Sequence, residues 1–124
     1  YFASPPGLEM PDYITNQLKK DMNVVPSVSH DLKEFIGLSD VVYMTRVQRE
    51  RLGEMEYLKY RGSYVLSEKT MEEAKKDTII LHPLPRVDEI TTDVDKDPRA
   101  LYFQQAYNGV PVRMALIAML LGVA

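Results

Sequence analysis

Two short polar clusters, Thr45-Arg46-Val47-Gln48-Arg49-Glu50-Arg51 and His82-Pro83-Leu84-Pro85-Arg86-Val87-Asp88-Glu89-Ile90, hold most of the residue types able to do chemistry. Each begins where a strand-like apolar run stops. Arg46 is an always-charged planar donor just past such a run, and Gln48, two residues on and pointing the same way, adds an amide. Together they suit a carboxylate. Glu50 lies close enough to hold the Arg46 guanidinium in one rotamer, which would keep a binding arginine preorganised. The same spacing also describes a plain ion-pair network of Arg46, Glu50 and Arg51, solvated or between domains, and spacing alone does not separate the two.

The second cluster offers a different group. Prolines on both sides of Leu84 restrict the backbone, and X-Pro bonds are the ones with an appreciable cis population. Leu84-Pro85 can therefore turn sharply and aim its carbonyls outward, where they suit an NH2 group. A rigid turn without any ligand is the better fit for a proline-rich turn taken alone. His82 taken alone reads as a hydrogen-bonded structural histidine, and Arg86, Asp88 and Glu89 as loop charges that pair or face water.

Elements must bring the clusters together. In an open α/β sheet, ligands sit outside the carboxyl ends of the strands, so two clusters that both follow strands are candidates for one crevice. Val41-Val42-Tyr43-Met44 and Thr78-Ile79-Ile80-Leu81 are continuous apolar runs, the pattern of strands buried on both faces of a parallel sheet. The first residues read as the end of a strand broken by Pro5, Pro6 and Gly7. A helix opened by Pro11 follows, with Ile14, Leu18 and Met22 on its dry side. Val24-Val25 reads as a short strand, and Leu32, Phe35 and Ile36 as a second helix closed by Gly37. After a charged loop, Tyr64-Val65-Leu66 is extended and Ser67 caps a helix holding Met71 to Lys76.

Beyond Leu81 and a long polar loop, two helices are expected, starting at Asp97-Pro98 and Val110-Pro111, the first ending at Asn108-Gly109. From Met114 to Leu121 every residue is apolar. That helix, at about residues 111–121, has no face for water, yet is shorter than the roughly 20 residues a bilayer needs. A small domain rarely surrounds its own terminal helix, so another domain or subunit is expected to cover it. The alternation of strand and helix means α/β: a three-layer α-β-α domain with a mainly parallel, Rossmann-like sheet.

Composition bounds the function. The chain has 124 residues, enough for one domain with a real core, and its 45% hydrophobic and 27% charged residues are globular in balance. A net charge of −3 gives no general attraction for nucleic acid, so any anion site is local. There are no cysteines, which excludes disulfides and thiolate catalysis and fits a cytoplasmic setting. His30 and His82 make no metal-ligand spacing. The opening Tyr1-Phe2-Ala3-Ser4-Pro5-Pro6 lacks the pattern of a signal segment and does not begin with Met, so a piece of a longer chain is expected.

Taken in order, Met10-Pro11, the run from Asp40 through Arg51, the run from His82 through Ile90, Tyr102-Phe103-Gln104-Gln105-Ala106 and Asn108-Gly109 closely resemble the aspartate carbamoyltransferase family, in its C-terminal, aspartate-binding half. The resemblance covers essentially the whole chain. It implies condensation of carbamoyl phosphate with L-aspartate to N-carbamoyl-L-aspartate and phosphate, in pyrimidine (UMP) synthesis, with no metal or organic cofactor and no covalent intermediate. It assigns Arg46 and Gln48 to aspartate, and the backbone of Leu84 and Pro85 to the carbamoyl group and substrate nitrogen. Glu50, Arg51 and Arg86 take supporting places. Glu56 and Tyr57 fall in a loop that closes over substrate, with Asp88 the partner of Tyr57 in the closed state. The family's carbamoyl-phosphate half, with its phosphate loop, is not in these residues, so the chain alone is expected to be inactive.

The implied partners are an N-terminal carbamoyl-phosphate domain onto which the last helix crosses, the other subunits of a trimer, and regulatory subunits or fusion partners; neither nucleic acid nor membrane is implied. Two other readings stand beside this one. Ornithine carbamoyltransferase shares the fold, but Thr45-Arg46-Val47-Gln48 and Pro83 argue against it. A non-catalytic binding or assembly domain of the same fold is opposed by the retention of Arg46, Gln48, Leu84 and Pro85. A dinucleotide-binding domain is weaker still, because no Gly-x-Gly-x-x-Gly follows any strand.

Overall fold

The computed structural model describes residues 1–123 and is α/β, its strands paired in parallel. Strand β1 (Phe2–Ala3) ends at Pro5 and Pro6, and the chain turns at Gly7, whose φ of 94° suits glycine. A Cβ there would lie 2.6 Å from the Tyr60 hydroxyl, so glycine also permits this close approach. Helix α1 (Asp12–Met22) starts behind Pro11, with Asp12 in its first turn and Lys19 and Lys20 in its last, all placed to oppose the helix dipole. It stops at Asn23, which takes a left-handed φ of 53°.

That ending corrects the strand expected at Val24-Val25. The Val24 amide is bonded to the Leu18 carbonyl as part of the helix terminus, and Pro26 follows without a donor. Pairing is delayed to β2 (Val28–Ser29), which lies parallel to β1 with Phe2 opposite Val28. Helix α2 (Lys33–Ile36) closes at Gly37 as expected and buries Phe35 and Ile36.

Strands β3 (Val41–Tyr43) and β4 (Ile79–Leu81) pair in parallel with Val42 opposite Ile80 and Tyr43 opposite Leu81. The chain at Ala100 bridges Ile80 from the other side, which puts β4 in the middle, while Leu66 bridges Ile90. Burial of β3 is one-sided rather than two-sided. Val42 and Met44 are buried, whereas Val41 and Tyr43 are 51% and 55% exposed. Among the described residues nothing fully covers that face.

Helix α3 (Glu54–Tyr60) occupies part of what reads in sequence as a charged loop. Its signal is modest: Glu54 and Glu56 in the first turn, Lys59 in the last. Helix α4 (Glu68–Met71) is capped by Ser67, whose hydroxyl accepts the Thr70 amide at 3.3 Å, but it ends at Met71 and does not reach Lys76. A short 3-10 turn spans Thr92–Lys96.

The two expected C-terminal helices are one. Helix α5 runs from Tyr102 to Leu120 through Pro111. It does not start at Pro98 because residues beyond it are drawn to β4: the Ile80 amide donates to the Arg99 carbonyl, and the Leu101 amide to that of Ile80. Pro111 costs an interior helix about 3 kcal/mol, which the Ala-, Leu- and Met-rich turns after it help to offset. Tyr102 is its one fully buried anchor, joining a core of Ile36, Val42, Met44, Leu66, Met71, Ile80, Ile90 and Val94. The far half is exposed, Ile117 by 58% and Leu120 by 87%. No helix among the described residues is long and apolar enough to cross a membrane.

Candidate functional site

Parallel register brings the clusters together. The Met44 amide donates to the Leu81 carbonyl at 2.9 Å, so β3 and β4 release their chains side by side. The segment after β3 leads into Arg46, and the segment after β4 leads into His82.

Arg46 stands between two cavities. The larger, about 270 Å³, is lined by Arg46, Gln48, Arg51 and Tyr64 with the Ser4-Pro5 turn across from them. Among the described residues no Asp or Glu lines it. The smaller, about 40 Å³, lies between Arg46, Tyr57, Arg61 and Asp88. Arg46 Nη1 donates to Glu50 Oε2 at 3.1 Å, and its Nη2 to Glu50 Oε1. This bond, more than the accompanying charge attraction, holds the guanidinium above its ordinary pKa and the Glu50 carboxyl below its own. Glu50 thus faces Arg46, and the exposed Gln48 and Arg51 line the larger cavity with Arg46.

The second cluster reaches this place through its far end. Val87, Asp88 and Glu89 line the small cavity, while Leu84 and Pro85 line neither. The Leu84-Pro85 bond is cis, and Leu84 has φ 52°. Asp88 accepts from Arg61 Nε at 3.0 Å, with Tyr57 on the wall of the same cavity. Glu56 is exposed on α3 and outside both cavities.

Arg86 is engaged elsewhere. Its Nη2 donates to Asp95 Oδ2 at 2.6 Å and its Nη1 to the Tyr102 hydroxyl at 3.1 Å, while Tyr102 in turn donates to Asp95. The Arg86 bond holds the Asp95 carboxyl below its ordinary range. Burial first, and then Asp95, push the Tyr102 phenol up to about 12. This triad fastens the loop after β4 to the start of α5.

Three residues of this arrangement escape sequence reasoning. Glu89, read there as a loop charge, is 5% exposed and bonded to the buried His82 ring at 2.7 Å. Gln105 accepts the His82 amide at 2.9 Å and donates to the Tyr43 hydroxyl at 3.2 Å, tying α5 to the ends of β3 and β4. Arg61 holds Asp88. Only Gln105 has a readable signal, its i,i+3 spacing from Tyr102 on the inward helix face.

The family model for the aspartate/ornithine carbamoyltransferase, Asp/Orn binding domain, matches residues 1–120. The chain is 52% identical over 121 residues to the aspartate carbamoyltransferase catalytic subunit of Thermoplasma volcanium, covering 97% of this chain and 39% of that protein. It is 49% identical over 121 residues to the catalytic subunit of Vibrio vulnificus, covering 98% and 39%. Among solved structures, the catalytic subunit of M. jannaschii aspartate transcarbamoylase matches with a TM-score of 0.86 at 42% identity, over 100% of this chain and 41% of that one. Aspartate transcarbamoylase from Trypanosoma cruzi, in complex with carbamoyl phosphate and aspartate, matches with a TM-score of 0.83 at 35% identity, over 94% and 39%. This chain thus spans about 39% of the length of these relatives.

Proposed function

Since this chain belongs to the aspartate/ornithine carbamoyltransferase family as its Asp/Orn binding domain, we propose that it supplies the aspartate-binding half of an enzyme that carbamoylates L-aspartate. The observation that carries the choice of amino acid is the lining of the 270 Å³ cavity: Arg46 and Arg51 with the Gln48 amide, and no carboxylate. Aspartate brings two carboxylates, which pair with guanidiniums in bidentate fashion. Ornithine brings a second ammonium, which this lining repels.

In the reaction, the neutral aspartate amine attacks the carbamoyl carbon, and a tetrahedral intermediate collapses with loss of phosphate. The new C–N bond replaces the C–O bond to phosphate, and the one proton that the amine loses on becoming an amide passes to the departing phosphate. Arg46 and Gln48 hold aspartate; the Leu84 and Pro85 backbone meets the carbamoyl group and the attacking nitrogen. Such catalysis is mainly positioning and charge stabilisation. Carbamoyl phosphate is held chiefly by the family's other domain, onto which the exposed half of α5 packs. The complete enzyme is a cytoplasmic trimer serving pyrimidine synthesis, with regulatory or fused partners in some settings.

The test uses the complete protein that contains this chain. It forms carbamoyl-aspartate but not citrulline, and Arg46→Ala abolishes saturation by aspartate. Citrulline formation, or aspartate saturation untouched by Arg46→Ala, would overturn the proposal.

A further inference from the structure

One buried polar system has no part in the reaction as drawn so far: His82, Glu89 and the turn between them. His82 is 1% exposed and Glu89 5%. The Leu84 amide points at His82 Nδ1 at 2.8 Å. A backbone amide only donates, so Nδ1 must be the bare nitrogen, and the proton of the neutral ring sits on Nε2. Nε2 therefore donates to Glu89 Oε1 at 2.7 Å. The other carboxylate oxygen, Oε2, accepts the amides of Val87 and Asp88, each at 3.1 Å. One carboxylate thus serves three donors, and only an acceptor at both oxygens can do so. The amide counterpart, Gln, would aim an NH2 at a donor whichever way it turned.

The ring itself has little freedom. The His82 amide is held by Gln105, and the Leu84 side chain packs on the core. The chain from His82 to Glu89 is fixed at its two ends and, through the ring, at Leu84. We propose that His82 is a positioning residue, oriented by Glu89, that sets the Leu84 backbone at the distance and angle the reacting carbamoyl group requires. This inference rests on the assignment of Leu84 and Pro85 in the proposed function. Its chemistry is that of a preorganised acceptor, since a carbonyl displaced by an ångström loses most of its effect on the reacting centre.

The test is a kcat against KM comparison in the complete enzyme, with kcat counted per folded site. His82→Leu removes the acceptor for the Leu84 amide and lowers kcat by about 10- to 100-fold, with the aspartate KM changed far less. His82→Asn restores an acceptor at the Nδ1 position and recovers much of that loss. A wild-type kcat in His82→Leu, or equal losses in the two variants, overturns the inference. Should His82→Leu fail to fold, nitrogen NMR of the histidine-labelled wild-type enzyme decides: a bare Nδ1 with a protonated Nε2 supports it, and any other form of the ring overturns it. Arg46→Ala separates the two failures. If that variant loses aspartate saturation while His82→Leu keeps its kcat, the positioning role falls alone; if Arg46→Ala changes nothing, the aspartate site falls first.

Discussion

The Arg46 guanidinium meets the Glu50 carboxylate with both terminal nitrogens, Nη1 to Oε2 at 3.1 Å and Nη2 to Oε1. The Arg46 side chain is 29% exposed and that of Glu50 56%, so this pair sits at the cavity rim and does little for folding stability. Its effect is on orientation. A guanidinium fixed on one side by a carboxylate presents its remaining donors in a set direction.

Glu50→Gln should therefore raise the aspartate KM of the complete enzyme by roughly two- to fivefold, the scale of an exposed ion pair, with little change in the unfolding temperature. Steady-state kinetics beside a thermal melt will check this. A fall in stability with an unchanged KM would make the pair structural.

Asp88 has a choice of partners. Here Arg61 Nε donates to it at 3.0 Å, while Tyr57 lines the same small cavity. Closure of the segment carrying α3 would exchange Arg61 for the Tyr57 hydroxyl. Tyr57→Phe should then weaken apparent aspartate binding, and Arg61→Gln, by releasing Asp88, should strengthen it. Aspartate titrations of both variants that move in the same direction would exclude such an exchange.

Asp95 joins Arg86 and Tyr102 at the base of α5. Its carboxyl is held below its ordinary value of 3.8, first by the Arg86 hydrogen bond. A depressed acid favours the folded state above that ordinary value, and the contribution fades as pH falls through the lowered one. Asp95→Asn should destabilise the protein by about 1 to 3 kcal/mol at neutral pH, the scale of hydrogen bonds to a charged group. The gap between variant and wild type should narrow as the medium is acidified below 3.8. Unfolding followed across pH would reveal a constant gap if the carboxylate charge were irrelevant.

What the sequence makes legible follows from the range of each interaction. Arg46 with Glu50, the Ser67 cap and the Gly37 stop are local, and their spacing predicts them. The alternation of apolar runs is enough for β3 and β4, and their parallel pairing brings Val87, Asp88 and Glu89 to the wall that Arg46 shares. Glu89 and Arg61 are different. A carboxylate in the polar loop after two prolines looks like any loop charge until the ring of His82 and two backbone amides converge on it. Likewise Pro111 marks a helix start by local rule, yet α5 continues through it. Val24-Val25 has strand propensity, but the left-handed turn at Asn23 and the following proline move the pairing to Val28. In each of these the deciding partner is remote or belongs to the neighbouring element.

The exposed half of α5 makes the last prediction. Met114, Leu116, Ile117, Met119 and Leu120 are all more than half exposed, along a helix held to the domain chiefly by Tyr102 at its start. Such a surface is unfavourable in water, since burying each aliphatic side chain is worth about 1.5 to 3 kcal/mol. The 124-residue chain by itself should therefore self-associate. Ile117→Lys with Leu120→Lys should disperse it without altering the Arg46 cavity, which shares no lining residue with α5. In the complete protein the same pair of lysines should have the opposite consequence, lowering the melting temperature, because there the proposed carbamoyl-phosphate domain covers these positions. Sedimentation of the short chain and melting of the long one are independent readouts. A monomeric wild-type chain would show that α5 is tolerated bare, and an unaltered melt of the lysine variant would show that nothing docks on it.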